Sequence, residues 1–100
     1  MNKKELFDKI DEIFPKIVEH RRHLHKHPEL SFREYSTTEY LKNALNQLGI
    51  PFSTPIETGL VGLIGDNENC VALRADIDAL PVFEETGLDF ASVNNGIMHA

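Results

Sequence analysis

The sequence predicts a chain of the α/β or α+β type, in which two helices are followed by about three short strands. Apolar residues recur at three- and four-residue steps in the first half, and glycine-bounded apolar runs follow in the second half. Two aspartates come directly after the last of these runs. With 100 residues there is room for one small domain, and we expect the opening part of such a domain rather than a complete one.

The first helix is expected from residue 3 to about residue 27. Pro15 could kink it or divide it in two, and Pro28 should end it. The second helix is expected to begin at a capping box, Ser31-Phe32-Arg33-Glu34, and to stop at Gly49.

Three stretches, each apolar or of mixed polarity, are predicted to form strands. Residues 50–56 carry two prolines and suit an edge strand, whereas residues 59–65 form a glycine-bounded strand. A turn at 66–69 leads into the third stretch, Cys70–Ala75, which we expect to be buried with Cys70 as a small buried hydrophobe. Residues 81–100 are expected to be loop-rich.

Composition excludes several classes of protein. The net charge of −6 argues against non-specific nucleic-acid binding. No apolar stretch approaches the roughly 18 residues of a membrane span, and the hydrophobic region of a secretory signal is missing. A single cysteine fits a reducing compartment, so we expect a cytoplasmic protein.

The acidic segment is the strongest indication of chemistry. If the extended geometry continues past Ala75, Asp76 and Asp78 project to the same side at the carboxyl end of a strand. Two such carboxylates repel each other unless a cation such as Zn²⁺ or Mn²⁺, a proton or hydrogen-bond donors separate them. An Asx-type turn is the alternative. Arg74 is expected to point away from Asp76.

A histidine cluster offers a second candidate. His23 and His27 would share a helix face at i, i+4, as a metal-binding pair does, although the glutamate of the zincin pattern is absent. A histidine-based metal-binding protein would show a metal stoichiometry that depends on these two residues.

Taken together, the motifs resemble the zinc-dependent aminoacylase and carboxypeptidase group of metallopeptidases, and within it the amidohydrolase branch, which includes hippurate hydrolase, N-acetyldiaminopimelate deacetylase and plant indoleacetyl-amino-acid hydrolases. The resemblance covers about residues 18 to 100. It rests on four patches in the family's order: residues 21–34 (RRHLHKHPELSFRE), 58–62 (TGLVG), 73–81 (LRADIDALP) and 96–100 (GIMHA).

The resemblance implies that residues 1–100 are the amino-terminal part of a three-layer α/β catalytic domain, with the smaller lid and dimerisation domain absent. It implies hydrolysis of the amide bond of N-acyl amino acids by water activated on a pair of divalent metal ions (Zn, Mn, Co or Ni). In the family the last patch continues into a Cys-Gly-His-Asp motif that binds metal, so the chain alone is expected to be inactive.

The resemblance also assigns residues. Asp76 occupies the place of a metal-binding histidine in other branches of the family. Asp78 occupies the place of an acid that orients the metal ligands or bridges the metals. His99 lies beside the metal-binding motif. Around the turn after the first helix, His25 is expected to bind the backbone, and Glu29 and Glu34 to accept from amides. Glu84 and Glu85 are expected in a solvated loop, with the site entrance as the alternative.

The expected partners are a small N-acyl amino acid substrate and a second copy in a homodimer, with no nucleic acid and no membrane. The alternative is a non-catalytic, acidic partner-binding module or a gene relic that kept the old motifs. Because its strands would leave apolar edges open, the isolated chain is expected to aggregate or dimerise.

Overall fold

The computed structural model describes all 100 residues and confirms the predicted order of two helices followed by strands. Helix α1 spans Lys3–Lys26 and helix α2 spans Tyr35–Gln47. Strands β1 (Phe52–Ser53) and β2 (Val61–Gly62) form a two-stranded antiparallel sheet, in which Phe52 pairs with Gly62 and Ser53 with Val61. No helix is long and apolar enough to cross a membrane.

Helix α1 is continuous over 24 residues, so Pro15 does not split it. Its first turn is capped by Asn2, whose Oδ1 accepts a hydrogen bond from the Glu5 amide at 2.9 Å. The helix ends at His27, directly before the predicted stop at Pro28. The predicted extent of this helix is therefore confirmed.

The start of α2 differs from the predicted capping box. Glu34 is the N-cap residue but makes no side-chain capping bond, and its Oε1 is buried without a partner. The carboxylate of Glu29 takes that role, accepting from the amides of Ser36 at 3.2 Å and Thr37 at 2.6 Å. The chain reverses at Phe32, which has a positive φ of 66°, and this turn places Glu29 beside the first turn of α2. The expectation for Glu29 is thus confirmed and that for Glu34 is wrong.

The end of α2 follows the prediction closely. Gly49 adopts a φ of 68°, its amide donates to the Asn46 carbonyl, and the Ile50 amide donates to the Leu45 carbonyl. This pair of bonds is the Schellman motif, in which the residue after the helix must enter the left-handed region that glycine tolerates best. Gly49 therefore ends α2 for the reason inferred from the sequence.

The third predicted strand is absent. Cys70–Ala75 pairs with no other segment, Val71 and Leu73 are 94% and 99% exposed, and Cys70 is exposed as well. An apolar run becomes a strand only where a neighbouring strand satisfies its backbone groups, and the chain places no such neighbour beside these residues. Cys70 is therefore not the buried hydrophobe that its sequence context suggests.

Three distant segments meet beyond this exposed run. The Ala79 amide donates to the Glu29 carbonyl at 2.8 Å, and Leu80 and Met98 exchange two backbone hydrogen bonds of 2.9 and 3.0 Å. These bonds fix the chain directly after Asp78 against the turn between the helices and against the last residues. Three of the four sequence patches are thereby brought together in space.

The chain buries little of its own apolar surface. Its accessible surface is 8236 Å², whereas a compact folded monomer of this mass exposes about 5,700 Å². The radius of gyration is 15.8 Å, against about 13 Å for a compact 100-residue domain. Ala79 and Pro28 are the only buried apolar residues. Helix α1 presents an apolar face to solvent, formed by Leu6, Phe7, Ile10, Ile13, Phe14 and Ile17.

Replacing Glu29 with glutamine should loosen the first turn of α2, because the amides of Ser36 and Thr37 lose a charged acceptor. Loss of a helix cap costs about 1 kcal/mol. Hydrogen exchange at these two amides, followed by NMR, should therefore accelerate. The matched control is Glu57→Gln, at an exposed position; equal exchange in both variants would contradict the capping role.

The isolated chain should self-associate, because its exposed apolar surface exceeds what a soluble monomer usually presents. Sedimentation velocity at increasing concentration should show dimers or larger species. Replacing Phe14 and Ile17 with lysine should raise the monomer fraction. As a control, replacing Lys3 and Lys16 with arginine should leave the monomer fraction unchanged. A monomer at all concentrations would contradict this expectation.

Candidate active site

The two acidic residues have different surroundings. Asp76 is exposed, and its Oδ1 accepts a hydrogen bond from Arg74 Nη2 at 3.0 Å. The expectation that Arg74 points away from Asp76 is wrong, because residues two apart in an extended chain project to the same side. An exposed ion pair of this kind contributes at most about 1 kcal/mol, so it leaves Asp76 free to exchange partners.

Asp78 lies close to His99. Asp78 is exposed and immediately precedes Ala79, which is fixed to the Glu29 carbonyl. Burial lowers the pKa of His99, and the charge of His25 lowers it further, while the Asp78 carboxylate and a hydrogen bond to the Asp78 backbone oppose that shift. The His99 Nε2 atom is buried without a hydrogen-bond partner. The structure thus brings Asp78, His99 and His25 together and leaves Asp76 with Arg74.

His25 is held by a carboxylate rather than by the backbone. Its Nε2 is hydrogen-bonded to Glu84 Oε1 at 2.9 Å, and the two side chains are only 10% and 5% exposed. Glu84 also accepts from the Thr86 hydroxyl and from the Ser92 amide. These bonds, that of Thr86 first, lower the pKa of Glu84 to about 2. The expected backbone partner of His25 and the expected solvated position of Glu84 are both wrong.

No signal in the sequence separates Glu84 from its neighbour Glu85. Both lie in a loop-like stretch, and only the folded chain shows that Glu84 is buried while Glu85 is exposed. The partner of Glu84 is 59 residues away along the chain, so no local spacing could have indicated it.

A second group of imidazoles lies where α1 contacts α2. His20 Nδ1 is hydrogen-bonded to the Tyr40 hydroxyl at 2.6 Å, and the Tyr40 ring stacks on His23 with centroids 3.9 Å apart. The rings of His23 and His27 lie 4.8 Å apart, which confirms that they share a helix face. Partial burial, followed by the charges of His27 and His20, lowers the pKa of His23.

The chain carries residue types that bind metals, but they form no complete ligand set. Carboxylates and imidazoles are suitable ligands for Zn²⁺ and Mn²⁺, and the buried, unpartnered Nε2 of His99 is a nitrogen without an assigned role. Nowhere in the chain, however, do three or more His, Cys, Asp or Glu side chains converge on a position that could hold a metal ion. A closed metal site would need ligands beyond these residues.

Comparison with known proteins shows clear relatives, although no family model matches the chain. An uncharacterized hydrolase of Staphylococcus haemolyticus is 47% identical over 85 residues, covering 84% of this chain and 22% of the relative. One from Staphylococcus epidermidis is 49% identical over 82 residues, with coverage of 81% and 21%. The chain therefore spans about a fifth of the length of the curated relatives it matches.

Two solved structures share the fold. The YXEP protein of Bacillus subtilis, described as a dinuclear metal-binding peptidase from the M20 family, superposes with a TM-score of 0.82 at 41% identity, covering 89% of this chain and 26% of that one. A protein described as an aminohydrolase, from methicillin-resistant Staphylococcus aureus, gives a TM-score of 0.90 at 39% identity, with coverage of 99% and 27%.

The chain is thus similar in sequence to hydrolases and in fold to a dinuclear metal-binding peptidase and an aminohydrolase. Its two helices and short two-stranded sheet match the amino-terminal portion of an α/β peptidase domain of the M20 family. The family resemblance and the fold class predicted from the sequence are thereby confirmed.

The hydrogen bonds of the Glu84 carboxylate to Thr86, to Ser92 and to His25, in that order of effect on its pKa, should make stability depend on pH. Glu84→Gln keeps the shape of the side chain and removes its charge, so we expect a lower urea midpoint at neutral pH. The folded pKa of Glu84 is about 2, below the ordinary value of 4.5. The contribution of the charge is therefore complete above about pH 4.5 and is lost as the pH falls towards 2.

The measurement is urea unfolding of the wild-type chain and of Glu84→Gln between pH 7 and pH 2, with Glu85→Gln as the exposed control. The wild-type midpoint should approach that of the Glu84 variant as the pH falls. A difference that persists unchanged at pH 2, or an equal loss in the Glu85 variant, would rule out the buried charge as the cause.

Proposed function

We propose that this chain is the amino-terminal part of the catalytic domain of an amidohydrolase that cleaves the amide bond of N-acyl amino acids. The observation that carries the proposal is the meeting of the acidic segment with residues 29–30 and 98–99, in a fold shared with a dinuclear metal-binding peptidase. In this proposal the 100 residues alone are inactive, since they hold neither a general base nor a full set of metal ligands.

The proposed cofactor is a pair of divalent metal ions, of zinc, manganese, cobalt or nickel. When bound, such ions lower the pKa of a water molecule so that it can attack an acyl carbonyl near neutral pH. In the proposal, this chain's own residues supply negative charge beside the metals and orient the groups that bind them. Asp78 is the principal candidate, because its main chain is fixed through Ala79 and its carboxylate is near enough to His99 to act on the pKa of that ring.

Asp76 and His99 have supporting roles in the proposal. The bond from Arg74 orients the Asp76 carboxylate, and an ionised acid near the metal pair would then attract the cations at longer range. Burial lowers the pKa of His99, and its proposed role is to pack beside Asp78 and help fix the geometry of the site.

The proposal extends to the surroundings of the site. The apolar face of α1 and the exposed Val71 and Leu73 are suited to pack against further layers of the same domain. The lid domain, which would select the acyl group and the amino acid and would form the homodimer, lies outside these residues. A cytoplasmic location fits the single cysteine.

A chimera tests the proposal directly. The 85 residues of the Staphylococcus haemolyticus hydrolase that match this chain are replaced by the corresponding residues of this chain. Release of free amino acid from N-acetyl and N-benzoyl amino acids is then measured with each of the four metals. We expect activity from the chimera and none from the 100 residues alone.

Within an active chimera, Asp78→Asn should lower kcat/KM about 10- to 100-fold, the usual effect of removing a carboxylate that orients metal ligands. Asp66→Asn, an equal change in an exposed turn, is the control and should retain activity. A chimera that folds and binds metal but cleaves no N-acyl amino acid would overturn the substrate assignment. Full activity of the Asp78 variant would overturn its place near the metals.

A further inference from the structure

A polar cavity of about 390 Å³ lies between the end of α1 and the start of α2. Its wall includes His23 from the last turn of α1, the C-cap residue His27, Glu29 from the connecting turn and Thr37 from the first turn of α2. Asp76, Asp78 and His99 are not among its lining residues. The proposed amidohydrolase chemistry therefore makes no use of this cavity.

The two histidines are arranged as a chelating pair. They are one helical turn apart, with ring centroids 4.8 Å from each other at an angle of 45°. Tyr40 stacks on the face of His23 at 3.9 Å and 9°, which fixes the plane of that ring and leaves the nitrogens at its edge open. Two further histidines, both in α1, already have hydrogen-bond partners: His20 is bonded to the Tyr40 hydroxyl and His25 to the Glu84 carboxylate.

The charge in the cavity favours a cation. The Glu29 carboxylate lies in the wall, and its two oxygens accept only one amide hydrogen bond each, from Ser36 and Thr37. The pKa of His23 is lowered by burial and by the neighbouring imidazoles. An anion would meet the carboxylate without a compensating positive charge.

The cavity is large enough to hold several water molecules around an ion.

We propose that His23 and His27 bind one divalent transition-metal ion of borderline softness, of the Ni²⁺, Cu²⁺ or Zn²⁺ type, at the mouth of this cavity. Imidazole nitrogen selects these ions over Mg²⁺ and Ca²⁺, which prefer oxygen ligands. Two histidines supply two coordination positions, and water molecules beside the Glu29 carboxylate fill others. Because fewer than three protein ligands converge, binding is moderate and exchangeable.

The test is a titration of the 100-residue chain with NiCl₂ at pH 7.4, followed by calorimetry and by the paramagnetic shifts of the histidine ring protons. Cys70→Ser serves as the background in all samples, because the exposed thiol could compete for the metal. We expect one ion per chain and large shifts for the rings of His23 and His27 only.

Single variants identify the ligands independently. His23→Gln and His27→Gln should each weaken Ni²⁺ binding by at least about tenfold, and His20→Gln, one turn earlier on the same helix, should bind as the parent does. Both ligand positions are exposed on the helix, and circular dichroism checks that each variant stays helical.

Shifts at His99 or His25 in place of His23 and His27, or equal affinity in the parent and both ligand variants, would overturn the proposal. If a variant loses helical structure, the ring-proton shifts of the parent chain alone identify the metal ligands. A result with MgCl₂ equal to that with NiCl₂ would also overturn it, since it would show a simple carboxylate site.

Discussion

The arrangement of this chain depends on Glu29 more than on any other residue. Its carboxylate accepts the first amides of α2, and its carbonyl accepts the Ala79 amide. One residue thus fixes the direction of the second helix and the position of the acidic segment. The turn that makes this possible passes through a left-handed Phe32, a conformation that a bulky residue adopts only where surrounding contacts compensate its strain.

Polar contacts hold together the regions that an apolar core would hold in a larger domain. His25 and Glu84 connect α1 to the loop that follows the acidic segment, the Asn94 side chain donates to the Pro28 carbonyl, and Thr38 Oγ1 accepts from the Gly59 amide. Such bonds define geometry well, but each adds only about 1 kcal/mol of net stability. The positions of the residues near Asp78 are therefore well defined, although the bonds that define them add little to the stability of the whole chain.

The exposed apolar surface and the incomplete ligand set are consistent with one another. Both the α1 face and the Val71 to Leu73 run have the composition of buried elements, and the acidic segment has the composition of a metal site without enough ligands to close it. The Staphylococcus haemolyticus relative is about four times as long as this chain, since the 85 matched residues are 22% of its length. The cavity at His23 and His27 differs, because all the residues that argue for it lie within the two helices and their connecting turn.

Local sequence determined the helices and their ends, because the periodicity of α1 and the glycine at position 49 act within a few residues. It also determined the family, since the four patches are contiguous motifs. Only the tertiary structure decided that Glu29 rather than Glu34 caps α2, that Glu84 is buried against His25, and that Cys70–Ala75 stays unpaired. The physical reason is that a strand needs a hydrogen-bonding neighbour and a buried carboxylate needs a partner, and both are set by residues far away along the chain.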